Sequence, residues 1–402
     1  MSVIAQRAWQ TSRLGDAFQT VTGNTPPKKH KHLYGSAIPL VKPPELLNAE
    51  TTDAHDGLSE EGKRVARVAP AGSVLVSCIG NLGKIALAGR DLAFNQQINA
   101  IMPDSKTALP KFVFYFCLAP QFVEQLEGLS SGTTVSIVNK SRFNSISIPL
   151  PPLEEQKRIV AVLDQAFAAL DRARALVEAN LADAGELFEN SLDAIFDTLR
   201  ERGRSVRLEE ICTIGDGNHS SKYPKRDEMV EQGVPFLRSS NIQDGEIVTD
   251  DLLYISPKKH QELKKGHLQV GDILFTNRGE IGKVAILPEE FDGSNLNSQV
   301  AWLRSRNTLS GEFLFFYLQS GIMRRHYQNA QTGAALQQFP IKMVKAIEVP
   351  VPDLEEQLAI AEQLGELRAK AVNLANSYQL KREAIADLRQ SLLQNAFAGE
   401  LT

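Results

Sequence analysis

Cysteine is scarce in this chain, with three in 402 residues: Cys78, Cys117 and Cys212. So odd and scattered a set builds no disulfide framework and has no metal-ligand spacing, and a reduced, cytoplasmic setting is expected. Long apolar runs are also missing. The longest, Phe112 to Ala119, falls well short of the ~18 residues of a membrane span and is read as core. The first ten residues carry no apolar signal-peptide core. Neither sign of charge dominates: the net charge is −4, with 43% hydrophobic and 23% charged residues. That is ordinary globular composition, which excludes global disorder and argues against indiscriminate nucleic-acid binding.

Catalytic signatures are absent as well. Gly80-Asn81-Leu82-Gly83-Lys84 suggests a phosphate loop, but the spacing is wrong and Ile85 stands where a magnesium-binding hydroxyl belongs. It is read as a tight turn between strands. No dinucleotide fingerprint follows a strand. Asn24-Thr25-Pro26-Pro27 has the wrong order for the Asn/Asp-Pro-Pro-aromatic tetrapeptide of amino-methyltransferases. No Walker pair, nuclease carboxylate–lysine cluster or nucleophile–base–acid set is visible.

What the chain does contain, it contains twice. Pro149-Leu150-Pro151-Pro152-Leu153-Glu154-Glu155-Gln156 opens one helical pattern, and Pro350-Val351-Pro352-Asp353-Leu354-Glu355-Glu356-Gln357 opens another. Apolar residues then recur in steps of three and four: Leu163, Phe167, Leu170, Val177 and Leu181 after the first, with Arg174 interrupting, and Ile360, Leu364, Leu367, Ala371, Leu374, Tyr378, Ile385 and Leu388 after the second, with Lys381 interrupting. This heptad spacing predicts two rods of roughly 45 residues, on the order of 65 Å each at 1.5 Å per residue, packed along a shared seam. Asp353 is expected to cap the second rod by accepting from the amide of Glu356, whose carboxylate reaches back; Pro152 suits a first helical position in the other. Gly203 is expected as a left-handed C-cap.

The segments before the rods correspond in order. Ile38-Pro39-Leu40-Val41-Lys42 matches Val234-Pro235-Phe236-Leu237-Arg238, and Gly72–Ser77 matches Gly271–Thr276. Gly80–Ile85 matches Gly279–Val284, Asn95–Ile98 matches Asn297–Val300, Phe112–Phe116 matches Phe313–Tyr317, and Ser131-Gly132 matches Thr332-Gly333. The expected fold is mixed α/β (α+β): two strand-rich domains, each followed by a long helix, the helices forming an antiparallel coiled coil with pseudo-twofold symmetry. The expected bounds are 1–150, 151–204, 205–350 and 351–402. Their formal charges are +4, −4, −1 and −3, so acid gathers in the rods and leaves room for a local basic face in each globular half.

Candidate contact residues follow from loop position and side-chain type. In the first half they are Asn24, Lys28, Lys29, Lys31, Lys42, Asn81 and Gln96; in the second, Asn218, His219, Lys222, Arg238, Asn241, Arg278, Asn297 and Gln299. Lys28-Lys29-His30-Lys31-His32 reads either as a solvated loop or as a phosphate contact; flanking ammonium groups oppose a metal. Asn95-Gln96-Gln97 and Asn297-Ser298-Gln299 suit either adenine-edge reading or satisfaction of backbone groups. Arg238 and Arg278 suit guanine or phosphate, and His219 a loop hydrogen bond. His55, His260, His267 and His326 are isolated and carry no functional reading.

The repeated Pro-x-Pro-x-Leu-Glu-Glu-Gln start, the Gly-Asp-Ile-Leu-Phe-Thr-Asn-Arg-Gly-Glu-Ile-Gly-Lys segment at 271–283 and the ending Gln390–Leu401 together resemble the specificity subunit of Type I restriction–modification systems. The resemblance spans essentially the whole chain. It implies two target-recognition domains held apart by antiparallel spacer helices, each domain reading half of a split DNA target. It also implies two modification subunits, which methylate adenine from S-adenosylmethionine, and restriction subunits that use ATP and Mg to translocate and cleave. No catalysis or metal site is expected in this chain. A coiled-coil scaffold assembling protein partners without DNA reading, and a duplicated enzyme, are the alternatives.

Overall fold

The computed structural model describes residues 9–132, 134–218, 223–330 and 338–401. The chain divides into two compact units: Met1–Glu178 with Leu380–Thr402, and Ala179–Gln379. Both are built to one plan.

In the first unit, Gln19–Thr22, Ile98–Met102, Val74–Ser77 and Ile85–Ala88 form consecutive antiparallel neighbours, with Ala49–Thr51 added in parallel at the edge. In the second, Cys212–Asp216, Val300–Ser305, Ile273–Thr276 and Val284–Ile286 repeat the antiparallel order. Each unit adds a smaller sheet with a parallel pair, Tyr34–Val41 beside Leu92–Phe94 and Val234–Leu237 beside Asn295–Leu296. The strands read as unbroken apolar runs because the main sheet is covered on both faces. Val74 and Val76 enter one core while Leu75 enters another, and Ile273, Phe275 and Leu274 divide in the same way.

The helix on that sheet is apolar all round. Phe112–Cys117 and Phe313–Leu318 are buried throughout. Two consecutive helices lie there in each unit, Pro110–Leu118 with Pro120–Gly128 and Gly311–Gln319 with Gly321–Ala330. Pro120 holds Ala119 extended at ψ 147°, which ends the first turn of chain there.

The rods are single helices, Leu153–Glu201 of 49 residues and Leu354–Ala398 of 45. Pro152 precedes the first, and Gly203 has the expected positive φ of 78° after it. Asp353 Oδ1 accepts from Glu356 N at 2.9 Å as expected, but the Glu356 carboxylate turns to Arg202 at 2.5 Å. Within each unit the start of one rod lies against the end of the other. In the first unit, Leu163 and Phe167 share a core with Leu393, Ala396 and Phe397, and Arg389 spans 2.7 Å to Asp171 while covering the Phe167 ring at 4.2 Å. In the second, Leu192, Phe196 and Leu199 share a core with Ala361 and Leu364. The rods are thus antiparallel.

The seam departs from expectation at Leu374 and Leu388, which are 41% and 49% exposed. A straight helix drifts by roughly 20° per heptad against a strict seven-residue repeat. The string through Leu364, Ala371, Tyr378 and Ile385 stays at least half-buried, while the one through Leu367, Leu374 and Leu388 walks outward. Of the other expected positions, Val177 is buried and Leu170, Leu181 and Ile360 are half-buried. The rod ends are held instead by aromatic trios with the globular cores. Phe397 lies 5.2 and 5.3 Å from Phe112 and Phe116, and Phe196 lies 5.3 and 5.1 Å from Phe313 and Tyr317.

The glutamine of the repeated motif fastens each rod to its globular half. Gln156 accepts from Leu109 N at 2.9 Å and donates to the carbonyls of Thr107 (3.1 Å) and Pro151 (2.9 Å). Gln357 makes the same three bonds, to Ser310 N (2.8 Å), Thr308 O (3.1 Å) and Pro352 O (2.9 Å). Both side chains are fully buried. Gln357→Leu would keep the shape but orphan three buried backbone groups, at ~1–3 kcal/mol each before relaxation. The expected loss is about 3 kcal/mol in urea unfolding; a change below about 0.5 kcal/mol would refute the clamp.

Candidate nucleic-acid interface

The sequence-derived candidates divide into residues that build loops and residues that the loops present. The Gly80 turn is of the first kind. Ser77 Oγ donates to Asn81 O and accepts from Lys84 N at 3.1 Å, with Gly80 and Gly83 at φ 81° and 71°. Thr276 does the same across Glu280 and Lys283, with Gly279 and Gly282 at φ 78° and 97°. A hydroxyl at the strand end and two positive-φ glycines therefore define a tight turn, as its spacing indicated. Asn81 is exposed on it.

Asn24 is a brace. Its amide donates to Val65 O at 3.0 Å and accepts from Arg67 N at 2.6 Å. Thr25 beside it donates to Gln96 Oε1 at 2.9 Å, so Gln96 stands exposed but oriented. In the second unit Ser239 Oγ donates to Gln299 Oε1 at 3.0 Å. Asn297 is buried and bonds to Gln299 twice, as Asn95 does to Gln97. The backbone-satisfying reading therefore describes Asn95 and Asn297, and the glutamines after them remain at the surface. Asn241 is fully buried, accepting from Arg238 N and donating to the carbonyls of Val248 and Asp250. It belongs to the scaffold, because a buried amide with filled bonds has nothing left to offer a ligand.

Asn218 is likewise buried, donating to Lys265 O at 2.6 Å and to Asn295 Oδ1 at 2.8 Å. Asn295 leads to two histidines that the sequence left isolated. His267 Nε2 faces Leu263 O at 2.6 Å and must carry the proton, so its Nδ1 accepts from His260 Nε2 at 3.1 Å. His260 Nδ1 then accepts from Asn295 Nδ2 at 3.4 Å. Seven residues separate the pair, one at a helix end and one past a glycine turn, and no periodicity signals that.

The cations also sort themselves. Lys42 is tied to Asp56, Lys259 to Glu228 at 2.7 Å and Lys265 to Asp216 at 2.9 Å. Lys28, Lys29 and Lys31 are exposed and have no acidic partner among the described residues. Their loop is shaped by Tyr34 Oη donating to Pro26 O, and by Ser59, which caps the helix Glu60–Val65 and donates to His32 O at 2.7 Å. That helix packs beside the turn Lys31–Leu33 and carries Lys63 and Arg64, which sequence reading missed; Glu60 and Glu61 sit at its start. Its counterpart Pro257–Glu262, capped by Ser256, carries Lys258, with Lys264 just beyond. Ser-Glu-Glu and Ser-Pro are helix-start signals that would have found both. Arg238 donates to Asp251 O, while its Nε is buried without a partner. The Arg278 backbone pairs with Gln338, leaving its side chain half-exposed. His219 and Lys222 lie outside the described residues.

Two features narrow the chemistry. Burial pushes the Cys78 and Cys212 thiols up to about 12, so neither is a nucleophile at neutral pH. Among the described residues, no group of three or more His, Cys, Asp or Glu is placed to hold a metal, and no helix is long and apolar enough to cross a membrane.

A duplicated, loop-bearing scaffold on paired rods is also what comparison with known proteins returns. The model described as "Type I restriction modification DNA specificity domain" matches twice, over residues 6–178 and 203–381. The chain belongs to this family. Relatives include the Escherichia coli EcoBI specificity subunit, 25% identical over 387 residues, covering 91% of this chain and 80% of that one. The Methanocaldococcus jannaschii MjaVIII specificity subunit is 23% identical, covering 98% and 93%. The Haemophilus influenzae HindI specificity subunit reaches 32% over 170 residues, 40% of this chain and 37% of that one. Among solved structures, a chain of a type I R-M system studied for complex assembly and conformational transition superposes with a TM-score of 0.81 at 22% identity, covering 98% and 99%. The HsdS subunit of Thermoanaerobacter tengcongensis does so at 0.62 and 23%, covering 98% of each chain. At that identity the likeness establishes the family fold.

The histidine pair supplies a pH test. Burial, then the neighbouring His267, holds His260 below its ordinary 6.5. The unfolded chain therefore binds a proton that the native unit resists, and stability falls as pH drops below about 6.5. Thermal melts from pH 7.5 to 5.5 should show that fall, and His260→Asn should make it shallower. An identical acid profile in parent and variant would contradict the assignment.

Proposed function

We propose that this chain is the DNA-reading subunit of a Type I restriction–modification complex, each globular unit reading one half of a split target. The observation that carries this is the duplication itself. Two copies of one scaffold carry different side chains at matched loop positions, as in Lys42 against Arg238 and Asn81 against Glu280, while the rod clamp is the same in both. A shared mount with unlike surfaces suits two readers of unlike sequence.

Affinity comes from exposed cations, Lys28, Lys29, Lys31 and Arg64 with the half-exposed Lys63 in one unit, and Lys258 and Lys264 with the half-exposed Arg278 in the other. Sequence is read by polar loop residues in the major groove. The rods make the second contact intramolecular and thereby raise its effective concentration. Their length sets the gap between half-sites, about one turn of DNA or roughly 34 Å. Leu176, Leu187, Leu358, Val372 and Leu380 are 50–66% exposed along the rods and offer apolar stripes to two modification subunits. Those subunits supply S-adenosylmethionine chemistry on adenine, and restriction subunits supply ATP- and Mg-dependent translocation and cleavage. This chain contributes recognition and no catalysis, in the cytoplasm where the host DNA lies.

Methylation-site mapping tests the modular part. Exchanging residues 1–150 for those of another family member should replace one half-site and leave the other; a change in both halves refutes modularity. Inserting one heptad in the first rod, with a matching heptad in the second, should alter the unspecified gap and neither half-site. Altered half-sites with an unchanged gap would contradict the ruler.

A further inference from the structure

We propose that Gln97 and Gln299 hold phosphate oxygens of the DNA backbone, one in each unit, seating the readers without reading bases. The proposal rests on the DNA-reading function above. It starts from a lock present in both units. The backbone N–H of Gln97 donates to Asn95 Oδ1 at 3.1 Å, which forces the Asn95 amide nitrogen to face Gln97 Oε1 at 3.0 Å. Asn297 and Gln299 repeat the pair at 3.1 and 3.1 Å. Since the backbone donor fixes which way the asparagine amide points, it also fixes the glutamine: Oε1 turns inward and Nε2 is left with no partner among the described residues.

In the second unit Ser239 Oγ also donates to Gln299 Oε1, so both lone pairs of that oxygen are filled. Bidentate adenine recognition needs this oxygen to accept from the base while the nitrogen donates. Gln299 has only donors left, and a phosphate oxygen only accepts. The surroundings agree. Asn277 N bonds to Gln299 O at 3.0 Å, which places the half-exposed Arg278 next to it, and Arg238, with its unpartnered Nε, precedes Ser239. Repetition decides between phosphate and a lone base acceptor. Two readers of unlike half-sites share the DNA backbone and little else, so a contact built on the same asparagine lock in both belongs there; the Ser239 bond is the second unit's addition.

The test uses the chain assembled with its modification subunits and the target defined by methylation mapping. Gln97→Glu and Gln299→Glu keep an acceptor for the lock and put a carboxylate oxygen where the donors were. Binding is measured on the target, on single-base variants at each defined position and on an unrelated duplex. The expected result is a loss of about tenfold or more, by the same factor on every duplex, with the methylated sequence unchanged. The uncharged Gln299→Met should give a smaller uniform loss, about threefold, with a lowered melting temperature because the buried Asn297 amide loses its acceptor. Relaxed preference at one base position, with unrelated DNA bound as before, overturns the proposal in favour of base reading. Unchanged binding in all three variants overturns it outright. A parent complex that prefers no sequence is a different failure, that of the DNA-reading function itself.

Discussion

In each unit one buried amide fastens the start of a rod to the globular half. Gln156 and Gln357 each tie a rod start to the loop that opens the apolar helix of the main sheet, through three bonds of matching length. An amide with one acceptor and two donors can bridge two segments with their backbone polarity intact, and full burial makes any loose arrangement costly. The aromatic trios around Phe397 and Phe196 add area and shape at the far ends of the rods. Within each unit, therefore, the loop-bearing surface is fixed relative to the rod segments it packs on.

That constraint explains the contrast between the two kinds of repeated feature. Mount, turn and lock are the same in both units: the glutamine clamp, the hydroxyl-bridged glycine turn, and the asparagine that orients a glutamine two residues on. Exposed loop side chains differ. Surface loops can then diverge without disturbing how each globular half is held, which is what the proposed modular reading requires.

Much of this was legible in the sequence because it repeats. The duplicated Pro-x-Pro-x-Leu-Glu-Glu-Gln starts, the strand matches and the rods are periodic or ordered signals, and the glycine turn was excluded as a phosphate loop by its spacing and by Ile85. The clamp was visible only as a letter in a motif, since nothing local shows that its partners lie 47 residues upstream. The seam went wrong at Leu374 and Leu388 because a heptad count ignores helical drift. Candidate contacts were hardest. Asn24, Asn218, Asn241 and Asn297 have the composition of base readers, but their amides are filled by partners within the fold, distant in sequence for Asn24 and Asn218 and local for Asn241 and Asn297. Lys63, Arg64, Lys258 and Lys264, on or just beyond short capped helices, went unnoticed.

The central claim is that two differing readers, each on its own copy of the same mount, address one split target. Mapping methylated adenines in cells that carry this chain with its modification subunits, against cells lacking only this chain, measures that directly. The account predicts one motif that depends on the chain, two defined blocks separated by a gap of constant length. A continuous motif, a gap that varies from site to site, or no dependence on the chain would contradict it.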